Sequence, residues 1–324
     1  MRRREFITLL GGAASGAWPF AVRAQATPVV GYLSNAPANS SGTIRAFRQG
    51  LSEAGYVEGR NVMIEYRVTD GRNDQLPSLA ADLVRRQVAA IVSEGITATA
   101  AAKAATATIP IVFGIGADPV ERGFVASLSR PGGNLTGVTN LNVEVGAKRL
   151  DLMHELVPAA TSMALLVNPT NRVTEPLTQG FGTAARTLGL QLHVVRASSE
   201  REFDAAFASL APLKAGALVI ANDGLFINRT ERLGGLSLRH AVAAIYQDRE
   251  FAEAGGLVSY GASRTDQYHR MGVYVARILK GEKPANLPVQ QSAKVEMIIN
   301  LKTAKALGIN VPLPLLGRAD EVIE

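Results

Sequence analysis

The sequence contains no cysteine. That excludes disulfides as a source of stability, and it excludes a lipid-modified cysteine at a processed N-terminus. Charged residues make up 19% of the chain and aromatics 6%. Beyond the first residues no run of lysine and arginine exceeds two, as at Arg85-Arg86, so the electrostatic footprint of a nucleic-acid binder is missing. No segment after the N-terminus is long and apolar enough to span a bilayer. The phosphate loop G-x-x-x-x-G-K-[ST], the zinc motif H-E-x-x-H and the nucleophile elbow G-x-S-x-G are all absent. Gly114-Ile115-Gly116 lacks the third glycine of a dinucleotide fingerprint and follows a fourth strand rather than a first. His154, His193, His240 and His269 stand singly, and no carboxylate pair has acid/base spacing. Neither an enzyme, nor a metal, nor a cofactor is expected.

What the chain does have is repetition. Val29-Val30-Gly31-Tyr32-Leu33-Ser34-Asn35 reads as a buried strand ending in a polar loop, and Met163-Ala164-Leu165-Leu166-Val167-Asn168-Pro169 reads the same way. A helical stretch ending in glycine follows each, 43–55 and 175–189; then a strand, 61–67 and 191–195; then a helix and a third strand, 89–93 and 217–221. A further helix and strand close the parallel at 109–113 and 242–246. Continuous apolar strands alternating with amphipathic helices indicate parallel sheets covered on both faces. The fold class is therefore α/β, with two Rossmann-like lobes. Two such lobes set their strand C-termini face to face, which is the geometry of a cleft that closes on a ligand.

The first residues read as an export signal. Arg2-Arg3-Arg4 precede an apolar run to Phe20 that is too short for a permanent span, and Ala24-Gln25-Ala26 is a small-x-small cleavage site. Arg3-Arg4-Glu5-Phe6-Ile7 fits the twin-arginine signal, with an ordinary secretory signal as the alternative. Cleavage after residue 26 would leave 30 basic against 27 acidic residues, so half of the net positive charge behind the pI of 9.7 goes with the signal. The expected product is soluble, periplasmic, not lipid-anchored and monomeric.

The expected boundaries are 1–26 for the signal, 27–140 plus about 263–286 for lobe I, 141–262 for lobe II, and 287–324 for a crossing strand, a short helix and an irregular tail. A long helix over 145–156 opens lobe II, and a second amphipathic helix, 266–280, should return to lobe I. Crossings are expected near Asn140, Ala262 and Leu287. They are strands rather than low-complexity linkers, which favours a hinge.

In open parallel sheets, ligands sit at strand C-termini beside helix N-termini. The candidate ligand-binding residues are Ser34, Asn35, Glu94, Gly95, Ile96, Thr97, Gly114, Ile115, Asp118 and Asn140 in lobe I. In lobe II they are Asn168, Asn222, Asp223, Tyr246 and Tyr260, with Gln247-Asp248 in the same loop as Tyr246. Each has a structural alternative. Asp118-Pro119 also reads as a helix cap with proline at the first turn. Asn168-Pro169 also reads as a turn, Glu94 as an arginine partner, and the two tyrosines as core.

Three stretches carry a family resemblance. They are Asp118-Pro119-Val120 running on to Arg130-Pro131-Gly132-Gly133-Asn134-Leu135-Thr136-Gly137, Tyr246 through Gly255-Gly256-Leu257-Val258-Ser259-Tyr260-Gly261, and Ile278-Leu279-Lys280-Gly281-Glu282-Lys283-Pro284. Together they resemble the substrate-binding proteins of ABC transporters, in particular the tryptophan-type periplasmic components. The resemblance implies a type I periplasmic-binding fold, no catalytic activity, and a small ligand such as an amino acid or an aromatic or carboxylate compound. It also implies an inner-membrane ABC permease as partner. A receptor that docks to a membrane signalling protein is the alternative, and an enzyme of the same layout a more distant one.

Overall fold

The computed structural model describes residues 27–35, 41–69, 72–140, 145–171, 174–292 and 294–324. The signal read at 1–26 and the start of lobe II expected at residue 141 lie outside the described residues.

The first sheet holds β1 (Val29–Ser34), β2 (Met63–Val68), β3 (Ala90–Glu94), β4 (Ile111–Ile115), β5 (Leu135–Asn140) and β11 (Gln290–Ser292), in the order β11-β5-β4-β3-β1-β2. Every pairing in it is parallel. The second sheet holds β6 (Ser162–Val167), β7 (Gln191–Arg196), β8 (Ala217–Ile220), β9 (Ala244–Tyr246), β10 (Val258–Ala262), β12 (Val295–Asn300) and β13 (Glu321–Ile323), in the order β13-β12-β10-β9-β8-β6-β7. Only β10 with β12 is antiparallel. Sequence and structure thus agree on a twofold α/β plan, and the expected elements fall within about two residues of the observed ones.

The two-faced strands explain the layers. In β1, Val30 and Tyr32 enter one core with Phe47 and Leu51 of α1 (Ser41–Glu53) and Met271, Tyr274 and Val275 of α10 (Arg264–Leu279). Leu33 turns the other way, toward Leu76 and Leu83 of α2 (Leu76–Arg85) and Ala98 and Ala102 of α3 (Ile96–Ala105). In β6, Met163, Leu165 and Val167 face α4 (Gly146–Leu156) and α5 (Thr174–Thr187), while Ala164 and Leu166 face α6 (Phe203–Ala208) and α8 (Thr230–Arg239). A strand buried on both faces has no polar alternation, which is why these runs are continuously apolar.

The helix expected at 266–280 is α10. It packs on α1 and over β3, β4 and β5, so the chain returns from the second sheet to the first. Two glycines permit that crossing. A Cβ on Gly50 would collide with the His269 carbonyl, and one on Gly272 with the Phe47 carbonyl. The chain then adds β11 to the first sheet and β12 to the second.

Three differences from the sequence reading are local. Gln290–Ser292 is a strand and not only a connection, because it completes the edge beside β5. The tail is not irregular: α12 (Leu313–Leu316) and β13 follow α11 (Leu301–Ala306), and β13 pairs with β12. Asp320 anchors it by exchanging backbone and side-chain hydrogen bonds with Met297. The strand expected at 242–246 is shorter, at 244–246. None of the helices among the described residues is long and apolar enough to cross a membrane.

Candidate functional site

The C-terminal ends of the two sheets face each other and touch. The Asn228 side-chain amide reaches the Asn35 carbonyl at 3.5 Å. A Cβ on Gly116, just beyond β4, would sit 3.7 Å from Asn222 Nδ2, just beyond β8. Arg264, at the first turn of α10, donates to Glu94 Oε1 at 3.0 Å and stands 4.0 Å from Asp248 Oδ1 beyond β9. The cleft is closed in this structure.

On the first-sheet side, Glu94 is the centre. It is buried and accepts from Tyr32 Oη at 3.1 Å, Ser34 Oγ at 2.7 Å and Arg264 Nη2 at 3.0 Å. Burial, followed by the charge of Glu94, pushes the Tyr32 phenol well above its usual range, so Tyr32 is a donor here at any physiological pH. Gly95 follows with φ +86° and ψ 165°, a conformation that a side chain disfavours. It opens α3, which has no side-chain cap. The amides of the first turn, at Ile96 and Thr97, are therefore left for an acceptor from outside the helix. Ile115 is buried, and Asn140 at the end of β5 donates to Gln267 Oε1 at 3.2 Å. Gln267 Nε2 in turn donates to the Ile115 and Val138 carbonyls. Gly114 packs against Met271, whose sulfur a Cβ there would strike. Asp118 is exposed, and its Oδ1 accepts from the amides of Val120 at 2.7 Å and Glu121 at 3.3 Å. The carboxylate thus closes a turn; no helix follows Pro119, so the helix cap that the sequence also allowed is a turn cap instead.

On the second-sheet side, Asp223 is buried and has three donors: Asn168 Nδ2 at 3.0 Å, Asn171 Nδ2 at 2.6 Å and the Leu225 amide at 2.8 Å. The last caps α7 (Gly224–Ile227). Asn168 and Asp223 therefore knit two loops of this sheet together. Asn222 accepts from Gln247 Nε2 at 3.1 Å. Tyr246 has no exposed surface. Its ring lies in the core of this lobe, edge-on to Phe251 of α9 (Arg249–Glu253) with centroids 5.9 Å apart, and its hydroxyl has no hydrogen-bond partner. Tyr260 is half-buried against the other core of the same lobe.

The sequence reading missed the arginines. Arg149 of α4 is 1% exposed, and its Nε donates to the Tyr260 carbonyl at 2.8 Å. Burial pulls its pKa down to about 10, opposed by Tyr246, Asp248 and Tyr260. Arg264 is 19% exposed at its side chain. Burial alone would lower its pKa, but Asp248, Tyr268 and Glu94 outweigh burial and raise it. Neither arginine has a sequence signal beyond a charge at an interior position of a helix (Arg149) or at a helix start (Arg264). Gln267 was also missed, since an amide inside an amphipathic helix looks like any surface residue.

Two cavities adjoin this region. One, of about 20 Å³, is lined by Gln247, Asp248, Ser259, Ser263, Arg264 and Glu296 among others. The other, of about 440 Å³, is lined by Lys148, Leu152, Tyr260, Val295, Met297, Arg318 and Asp320, all from the second-sheet side. No group of three histidine or acidic side chains among the described residues is placed to hold a metal.

Facing α/β lobes with a polar cleft at their strand ends define a solute-binding protein. The chain belongs to the ABC transporter substrate binding protein family, whose model matches residues 38–323. It is 25% identical over 264 residues to a tyrosine-binding protein of Clostridioides difficile, covering 81% of this chain and 75% of that one. Among solved structures, a conserved domain protein from Vibrio cholerae matches with TM-score 0.79 at 26% identity, covering 91% of this chain and 99% of that one. A Streptococcus pneumoniae ABC domain in complex with L-Trp matches with TM-score 0.81 at 24% identity, over 92% of this chain and all of that one. The ligand-free, open structure of a substrate-binding protein with adhesive properties from Clostridium difficile matches with TM-score 0.67 at 21% identity, over 91% and 99%. The fold is of the type I periplasmic-binding kind, as the sequence resemblance implies.

Proposed function

We propose that this chain is the solute-binding component of an ABC uptake system, exported to the periplasm, where it carries an amino acid, aromatic by preference, to an inner-membrane permease. Residues 27–140 with about 263–286 and residues 141–262 are the lobes that rotate about the crossings, and 287–324 spans both. The observation that carries the reading is family membership over nearly the whole chain, joined to a closed cleft with uncapped helix amides on one wall. Those amides suit a ligand carboxylate. The aromatic preference comes from the relative that is a tyrosine-binding protein. Closure expels water from the ligand, and the closed surface is what the permease meets.

The experiment is a thermal-shift screen of residues 27–324 against the twenty amino acids and their aromatic analogues. L-Tyr or L-Trp at 100 times its dissociation constant should add about 2.7 kcal/mol of stability. No shift with any amino acid would overturn the ligand assignment. Mass spectrometry of the periplasmic fraction checks export: an intact Met1 protein confined to the cytoplasm would sink it.

A further inference from the structure

The carboxylates at the cleft are not equivalent. Glu94 has three donors and Asp223 has three. Asp118 has two backbone amides. Asp248 has none: both its oxygens are buried without a hydrogen-bond partner, although the residue is only 2% exposed. Its neighbour Gln247 is 4% exposed, and its Oε1 is likewise unpartnered, while its Nε2 is held by Asn222. The hydroxyl of Tyr246 completes the set. One loop beyond β9 therefore presents three buried acceptor oxygens against a single hydroxyl donor. A buried acceptor without a donor costs free energy, more so when it is charged. That imbalance calls for a group that brings several N–H donors and a positive charge.

The adjoining cavity fits such a group and little more. Its 20 Å³ has room for one water-sized centre, which matches the head of a primary amine. Of the cations here, Arg264 hydrogen-bonds Glu94 and makes only a long ion pair with Asp248, Arg149 bonds the Tyr260 carbonyl, and Arg249, which also lines the cavity, bonds Glu253 and Glu321. Arg264 comes no nearer than 4.0 Å to Asp248.

We infer that Asp248, with Gln247 Oε1, forms the subsite that accepts the primary ammonium group of the ligand. This rests on the amino-acid reading above and names the half of the ligand that the second-sheet side holds. The ammonium donates to the Asp248 carboxylate and the Gln247 carbonyl as the lobes close. Asp248 thereby selects against acids of the same shape that lack the amine.

The test is calorimetric titration of the mature protein and its Asp248→Asn variant with three probes of one shape. These are L-tyrosine or L-tryptophan, the amine left when its carboxyl is removed, and the acid left when its amine is removed. Losing a charge-assisted hydrogen bond should weaken the deaminated acid by about 10- to 100-fold against the amino acid in the unaltered protein. Asp248→Asn should erase most of that preference. A deaminated acid that binds as tightly as its parent overturns the subsite and leaves the aromatic reading standing. A variant that keeps the full preference does the same, and marks the cavity as a water site. Binding of the amine without the amino acid overturns the amino-acid reading and keeps Asp248. Binding of none of the three sinks both. The ligand series on the unaltered protein does not depend on how the variant folds.

Discussion

Asp248 and Glu94 show how one residue type acquires two roles from its surroundings. Glu94 gathers two hydroxyls and a guanidinium, so its charge is solvated by the protein. Removing its cation should be costly: Arg264→Met leaves a buried carboxylate with hydroxyls alone. About 3 kcal/mol of unfolding free energy should be lost in urea titration. A loss under about 0.5 kcal/mol would mean that the pair is solvated rather than structural. Asp248 is the opposite case. Burial lifts its pKa to about 6, with Arg264 and Arg149 pulling down and Glu250 pushing up; Tyr246 stands beside it as well. A carboxyl whose pKa is raised on folding favours the folded state below its unfolded pKa, about 3.9. That contribution fades as pH rises through about 6. Without ligand, Asp248→Asn should therefore stabilise the protein at pH 7 by up to about 3 kcal/mol, and the gain should vanish below pH 4. Melts of both proteins from pH 4 to 8 check it, and a constant offset across that range would contradict it. An ammonium ligand should reverse the shift, releasing about half a proton when it binds near pH 6. Titrations in two buffers of different ionisation enthalpy read that number directly.

At the scale of elements, the crossing of α1 over α10 depends on two glycines whose missing side chains let the backbones meet. Gly272→Ala should therefore cost about 1–3 kcal/mol by overpacking, with no effect on ligand chemistry. Gly55→Ala, at φ +96° with open space around it, should cost about 1 kcal/mol through backbone strain alone. Denaturant midpoints rank the two. Elements of this kind were legible in the sequence because their signals are local and redundant. Val30, Tyr32 and Leu33 announce a two-faced strand, and the same pattern at Met163 to Val167 announces its twin. What was not legible depended on partners far away in the chain. Gln290–Ser292 is too short to show a period, and it becomes a strand only because β5 has a free edge. Glu321–Ile323 is a strand only because β12 lies beside it. The site follows the same division. Strand-end loops pointed to Glu94, Asn222 and Asp223 by position. For Asp118 and Tyr246 the residues alone left capping against binding, and core against cleft, open; the hydrogen bonds of Asp118 and the packing of the Tyr246 ring on Phe251 decide for the structural roles. Nothing local marked Arg149, Arg264 and Gln267, which reach the cleft from helices.

For the whole molecule, the closed cleft joins all these parts. Among the described residues, the contacts that join the two sheets' ends include Asn228 with Asn35, Arg264 with Asp248 and Gly116 beside Asn222, all polar and long. Such contacts stabilise closure by little, so ligand has to supply most of the preference for the closed state. Small-angle scattering should accordingly show a smaller radius of gyration with saturating ligand than without. The complete lack of cysteine permits a sharper experiment. Gly116→Cys together with Asn222→Cys places one thiol on each side of the cleft, with no other thiol to compete. The Cβ position at Gly116 already lies 3.7 Å from the Asn222 side chain, within the reach of a disulfide once the loops adjust. Mild oxidation should therefore lock the lobes together. Oxidised without ligand, the double variant should lose binding, because the solute can no longer enter. Oxidised with ligand present, it should retain the ligand through dialysis. Reduction should restore ordinary exchange in both samples. If the oxidised, empty protein binds as fast as the reduced one, the ligand does not enter between the lobes, and the site lies elsewhere on the molecule.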